Sequence, residues 1–147
     1  MSIFPTTILL ATDGSEEAQL AATTAADLAQ KTNSELHLIT VGPDLPLYKL
    51  PEHPAGFEDV LRKNRHEAKE MLEQQAERIE ESGVSVKETH LREGRADEEI
   101  VELAEQIGAG LIVMGSRGQG RLSRALMGSV SDAVVRHAHR PVTIVRK

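Results

Sequence analysis

The residues with the clearest capacity for chemistry lie in one stretch, MGSRGQGRLSRALMGSVSDAV, from Met114 to Val134. Glycines stand at 115, 118, 120 and 128, arginines at 117, 121 and 124, and no carboxylate occurs between Met114 and Ser131. The whole chain carries 23 acidic residues and a net charge of -6, so the local bias is strong. The chemistry it suggests is phosphate binding. Glycine lets backbone approach a ligand and adopt positive φ, and successive N–H groups can form a concavity that holds an anion. Gly128-Ser129 opens a helical segment, where free N–H groups and the helix dipole also favour negative charge. The Ser129 and Ser131 hydroxyls can donate, and Arg117, Arg121 and Arg124 add positive charge. The alternative is a glycine-rich loop with Gly128 merely preceding a helix. Other phosphate motifs fit poorly. Gly115 and Gly120 have Walker spacing, but Arg121-Leu122 follows instead of Lys-Ser/Thr. No GxGxxG follows the first apolar run, where Asp13-Gly14-Ser15 stands, and no SGGxDS occurs.

Other reactive types are sparser. Asp13 has two open readings: a pocket residue that binds ribose or a nucleotide-bound Mg²⁺, or a cap for the turn into the first helix. The chain has 6 histidines and no cysteine. His137 and His139 fall on different helix faces. His37 sits inside a strand, and His53, His66 and His90 form no cluster in sequence, so no protein-built metal site is expected. Lack of cysteine excludes disulfides and thiolate chemistry. Only Phe4, Tyr48 and Phe57 are aromatic, so a bound base would rest on aliphatic side chains and backbone. The acidic balance argues against nucleic-acid and anionic-membrane partners, which need broad positive surfaces. The first basic residue is Lys31, which disfavours a signal or transit peptide, and no apolar run approaches the roughly 18 residues of a membrane span. A cytoplasmic location is the expectation.

The elements that must position these residues follow from hydrophobic period. Thr6–Thr12, Glu35–Val41, Val84–Leu91, Gly110–Met114 and Pro141–Arg146 read as strands. Ser15 can cap a helix with its apolar face at Ala18, Ala21, Ala22, Ala25, Leu28 and Ala29. Phe57 to Ile79 marks a long amphipathic helix ending near Gly83. Asp97 is expected to cap a third helix, and a fourth spans about Ser129–Ala138. Apolar strands alternating with amphipathic helices indicate one α/β domain with a parallel sheet covered on both faces. Ligands in such sheets bind at the carboxyl ends of strands, where strand order reverses. A proline-rich loop at 42–56 reads as a surface excursion, with a lid or a peptide-docking PxxP as alternatives.

Gly115-x2-Gly118-x9-Gly128-Ser129 resembles the G-2x-G-9x-G-[S/T] ATP-binding pattern of the universal stress protein family. The resemblance covers nearly the whole chain, through ILLATDGS, LHLITV, LIVMGSRG, GSVSDAVVRHA and PVTIVR. It implies a Rossmann-like (adenine nucleotide alpha hydrolase-like) five-stranded parallel sheet of order 3-2-1-4-5 with helices on both faces, spanning residues 1–147 as one domain. It further implies that Ala11, Thr12 and Asp13 line a nucleotide pocket and that Val41 contacts adenine. Met114, Gly115, Ser116, Arg117 and Gly118 would wrap ribose and phosphates, and Gly128, Ser129, Val130 and Ser131 would hold phosphates. The implied ligand is ATP, or AMP or ADP, with Mg²⁺ optional through Asp13. The implied role is regulatory, in a stress response, as a homodimer paired through Val142–Val145. A slow ATPase, a nucleotidyl transferase, an AMP or cyclic AMP sensor and a ligand-free interaction module are the alternatives; an efficient enzyme is not expected. Two residues depart from the pattern: Gly110 replaces a common Asp, and Ala96 a common proline, and neither falls in the implied pocket.

Overall fold

A computed structural model describes residues 2–42, 56–116 and 128–147. Among them, five strands alternate with four helices: β1 (Thr7–Ala11), α1 (Glu16–Thr32), β2 (Glu35–Gly42), α2 (Phe57–Glu81), β3 (Val86–Glu93), α3 (Ala96–Ile107), β4 (Ala109–Gly115), α4 (Ser129–His137) and β5 (Val142–Val145). The strands form one sheet of order β3-β2-β1-β4-β5, and every neighbouring pair is parallel. The parallel sheet covered on both faces is what the sequence patterning indicates, and its strand order is what the family resemblance implies.

The sheet is apolar on both faces because helices cover both. Ile8, Leu10, Leu36, Leu38, Leu111 and Val113 pack with α1 and α2 in one cluster. Leu9, Ala11, Ile39, Ile112 and Met114 pack with α3 and Val134 of α4 in the other. Alternate residues of each central strand thus serve opposite layers. The buried face of α1 is built from alanines, at 18, 21, 22, 25, 26 and 29. Short side chains let that helix lie close against the strands that end at the candidate site.

Local signals set most boundaries. Ser15 caps α1 as expected, its hydroxyl oxygen accepting from the Ala18 N–H at 3.2 Å. Asp97, by contrast, does not cap α3. The helix starts one residue earlier, at Ala96, and the Asp97 carboxylate sits in its first turn, accepting from Arg95 Nε at 3.1 Å. Ala96 therefore holds the first helical position, where proline is favoured because its missing N–H has no helical acceptor. Alanine meets the same need. β3 begins at Val86 rather than Val84, because its pairing with β2 starts at Leu36 opposite Val86, while Val84 is buried in the α1/α2 cluster.

The second departure, Gly110, has a structural reason. The β1–β4 register shifts between Thr7 opposite Ala109 and Ile8 opposite Leu111, leaving Gly110 as the extra residue of a bulge. A Cβ there would lie 2.2 Å from Thr6 Oγ1, so Thr6 fills the space that a larger residue would need. No helix among the described residues is long and apolar enough to cross a membrane.

Candidate functional site

The sheet order makes β1 and β4 adjacent central strands whose chain connections depart in opposite directions, the geometry that opens a crevice at their carboxyl ends. β1 delivers Ala11, Thr12 and Asp13 to that end. The Thr12 N–H donates to the Ile39 carbonyl at 3.0 Å, which extends the pairing with β2 one residue beyond β1. Thr12 is buried, and its Oγ1 lies 3.4 Å from the Gly14 N–H. Asp13 is exposed, and its Oδ1 accepts from the Ser15 N–H at 2.9 Å. The turn-capping reading of Asp13 is therefore realised, and its exposure leaves the pocket reading open. On the next strand outward, Val41 packs at the edge of the α3/α4 cluster near the end of β2.

β4 ends at Gly115, and Ser116 follows as a junction. Its backbone N–H donates to the Val145 carbonyl of β5 at 2.9 Å. Its hydroxyl donates to Glu17 Oε2 of α1 at 2.5 Å. Its carbonyl accepts from the Gly128 N–H at 2.6 Å and from the Ser131 hydroxyl. One residue thus ties together β5, α1 and the start of α4. Gly115 is needed for a related reason. A Cβ there would sit 3.0 Å from Glu17 Cβ and 3.1 Å from the Glu17 carbonyl carbon, so glycine lets the first turn of α1 pack on the end of β4.

At the start of α4, Gly128 has extended backbone (φ -66°, ψ 157°), which any residue can adopt, and no side chain caps the helix. The Asp132 N–H is the first to close on Gly128. The N–H groups of Ser129, Val130 and Ser131 precede it, in the first turn that has no intrahelical acceptor. Ser129 and Val130 are exposed, whereas Ser131 is buried and its hydroxyl is engaged by Ser116. Ser131 can therefore serve an anion through its N–H while its side chain fixes the helix start. Met114 is buried in the α3/α4 cluster.

The structure brings Ala11, Thr12 and Asp13 together with Gly115, Ser116 and Gly128–Ser131 at one end of the sheet. Arg117, Gly118, Arg121 and Arg124 lie outside the described residues, as does most of the 42–56 loop. One residue escapes sequence reasoning altogether. Glu17 reads as an ordinary first-turn acid, favourable to the helix dipole, yet it is fully buried beside Ser116 and Gly115. Its only signal in the sequence is its place directly after the capped turn.

The universal stress protein family model matches residues 5–146. The chain belongs to the universal stress protein family. A family member from Methanocaldococcus jannaschii is 37% identical over 140 residues, covering 95% of this chain and 81% of its own. Among solved structures, the universal stress protein UspA of Lactobacillus plantarum superposes with a TM-score of 0.82 at 26% identity, covering 99% of this chain and 100% of its own. A universal stress protein solved in complex with cAMP has a TM-score of 0.69 at 25% identity, covering 97% of this chain and 98% of its own.

Proposed function

We propose that this universal stress protein binds an adenine nucleotide, ATP in first place, across the carboxyl ends of β1 and β4. The observation that carries this reading is the uncapped start of α4, with the N–H groups of Ser129, Val130 and Ser131 held against the end of β4 through Ser116. Such a turn suits a phosphate without further charge. Ala11, Thr12 and Asp13 form the facing wall, with Asp13 placed for ribose or a nucleotide-bound Mg²⁺. Val41 supports the adenine, and Met114 supplies backbone at the mouth of the loop. Arg117 and Gly118, with Gly115 and Ser116, complete the phosphate cradle that the glycine motif implies.

Isothermal titration should show ATP preferred over GTP. Gly118→Ala and Gly128→Val should each weaken binding, since both add side-chain bulk where backbone must approach phosphate. Unchanged affinity in both variants removes this site. A second ligand reading, AMP or cAMP, is favoured by the family structure in complex with cAMP. Competition among ATP, AMP and cAMP, with mass spectrometry of what co-purifies with the protein, decides between them. Repeated ATP turnover that Asp13→Ala abolishes would make the protein an enzyme; binding without turnover leaves it a regulatory binder in the cytoplasm.

The proposed assembly is a homodimer through β5. The carbonyls of Pro141 and Val145 accept from Ile112 of β4 and from Ser116 just after it, so by strand alternation the backbone groups of Val142 and Ile144 face away from β4. A two-fold partner presenting the same strand satisfies them.

A further inference from the structure

Two of the histidines that are scattered in sequence, His37 and His90, meet in the fold. β2 and β3 are parallel neighbours, with His37 opposite Glu88 and Ile39 opposite His90. Alternation along paired strands puts His37, Glu88 and His90 on the face that Ile39 shares with α3. His37 Nδ1 lies 3.1 Å from His90 Nε2, with the two rings inclined by 13°. Glu88 Oε2 lies 3.6 Å from the same His90 nitrogen. One donor atom from each residue falls within 4.8 Å of the other two, the only such group of three among the described residues.

The separations suit a metal ion. Zinc–imidazole bonds of about 2.0–2.1 Å in a tetrahedron place two donor atoms roughly 3.3–3.4 Å apart. The observed 3.1 and 3.6 Å are close to that spacing, but with ring centroids 5.4 Å apart the two nitrogens point at each other as in a direct hydrogen bond, so the imidazoles must turn to admit an ion. The environment is graded: His37 is buried, the His90 side chain is 16% exposed, and the Glu88 side chain is 60% exposed. Two imidazoles thus form a floor and a carboxylate forms a rim open to water. Arg92, the next residue on that face of β3, is turned away to Glu99 and Gln106 of α3.

We propose that His37, Glu88 and His90 bind a first-row divalent cation, Zn²⁺ in first place, with water in the fourth position. Two nitrogens and one oxygen favour zinc, copper, nickel or cobalt over magnesium or calcium, which prefer all-oxygen sets. The bound ion ties the edge strand β3 to β2. The competing account is a simple hydrogen-bonded histidine pair, which binds no metal. The proposed site shares no residue with the nucleotide site, so each proposal can fail alone.

The test uses tag-free, chelator-stripped protein titrated with Zn²⁺ against a chromophoric chelator, and with Co²⁺ for its visible spectrum. One tight equivalent of Zn²⁺ per chain is expected, with Co²⁺ bands of a four-coordinate site. His37→Asn and His90→Asn should each weaken Zn²⁺ binding at least about tenfold, because losing a direct ligand costs no less than losing its supporting contacts. His66→Gln should leave binding unchanged. That variant is the needed control, because His66 and Glu70 form an exposed pair at 2.9 Å on α2. If a buried histidine variant fails to fold, Glu88→Gln carries the test, since its side chain is largely exposed. Weaker Zn²⁺ binding in Glu88→Gln supports the site. Absence of a tight equivalent in the wild type overturns the proposal, as does Zn²⁺ affinity kept in His37→Asn and His90→Asn or in Glu88→Gln.

Discussion

At the scale of single residues, what a side chain does here is decided by who lies opposite it, and that is the part sequence conveys least. Ser15 could be read as a helix cap because its partner is three residues away. Glu17 could not be read as a buried partner of Ser116, because the contact spans 99 positions and exists only once α1 docks on β4. The His37–His90 contact, 53 positions long, is hidden for the same reason. It has a measurable consequence in metal-free protein. Burial, as the largest cause, holds both imidazoles below their usual value; for His37, Lys87 adds to this while Glu88 and Glu35 oppose it, and for His90, His37 and Arg92 add while Glu88 opposes. The folded state thus takes up protons less readily than the unfolded chain, whose histidines titrate near about 6.5. The pair costs nothing above that value, and stability falls as pH drops through it toward the folded values. Urea unfolding in chelator at about pH 7.5 and 5.5 should show this loss, and the slope should shrink in a His37→Asn, His90→Asn double variant. An equal slope in the two proteins would assign acid sensitivity to other groups.

At the scale of elements, the strands and helices were legible because two periods alternate along the chain and each demands a different surface. Strand order came from the family resemblance; periodicity alone does not order strands. Boundaries were less legible. Asp97 looks like a cap, but Arg95 draws its carboxylate into the first turn of α3 instead. Val84 looks like the start of β3, but it serves the core before the ladder begins. In the candidate site, the sequence suggests either ligand approach or a simple loop for the glycines, whereas Gly115 is also fixed by the contact of α1 with β4. Gly115→Ala is therefore expected to destabilise the fold by about 1–3 kcal/mol, the usual range for inserting a carbon into a packed contact. Denaturant unfolding without nucleotide measures this directly. Wild-type stability with weakened nucleotide binding would show instead that the ligand alone requires the glycine.

At the scale of the molecule, the proposed dimer joins two copies at the β5 edge, and the expectation is a dimer in sedimentation velocity. Val142→Pro removes one outward N–H while sparing the bonds to β4, and it should shift the population toward monomer with the circular dichroism retained. A monomeric wild type at high concentration would dismiss the pairing. The junction at Ser116 adds a thermodynamic consequence. Its N–H holds the end of β5 and its carbonyl holds the start of α4, so the strand proposed to pair with a second copy and the turn proposed to hold a phosphate share one peptide neighbourhood. If nucleotide shifts that neighbourhood between arrangements that differ in self-association, the two events are linked, and linkage is reciprocal. Whatever factor nucleotide applies to self-association, self-association must apply to nucleotide affinity.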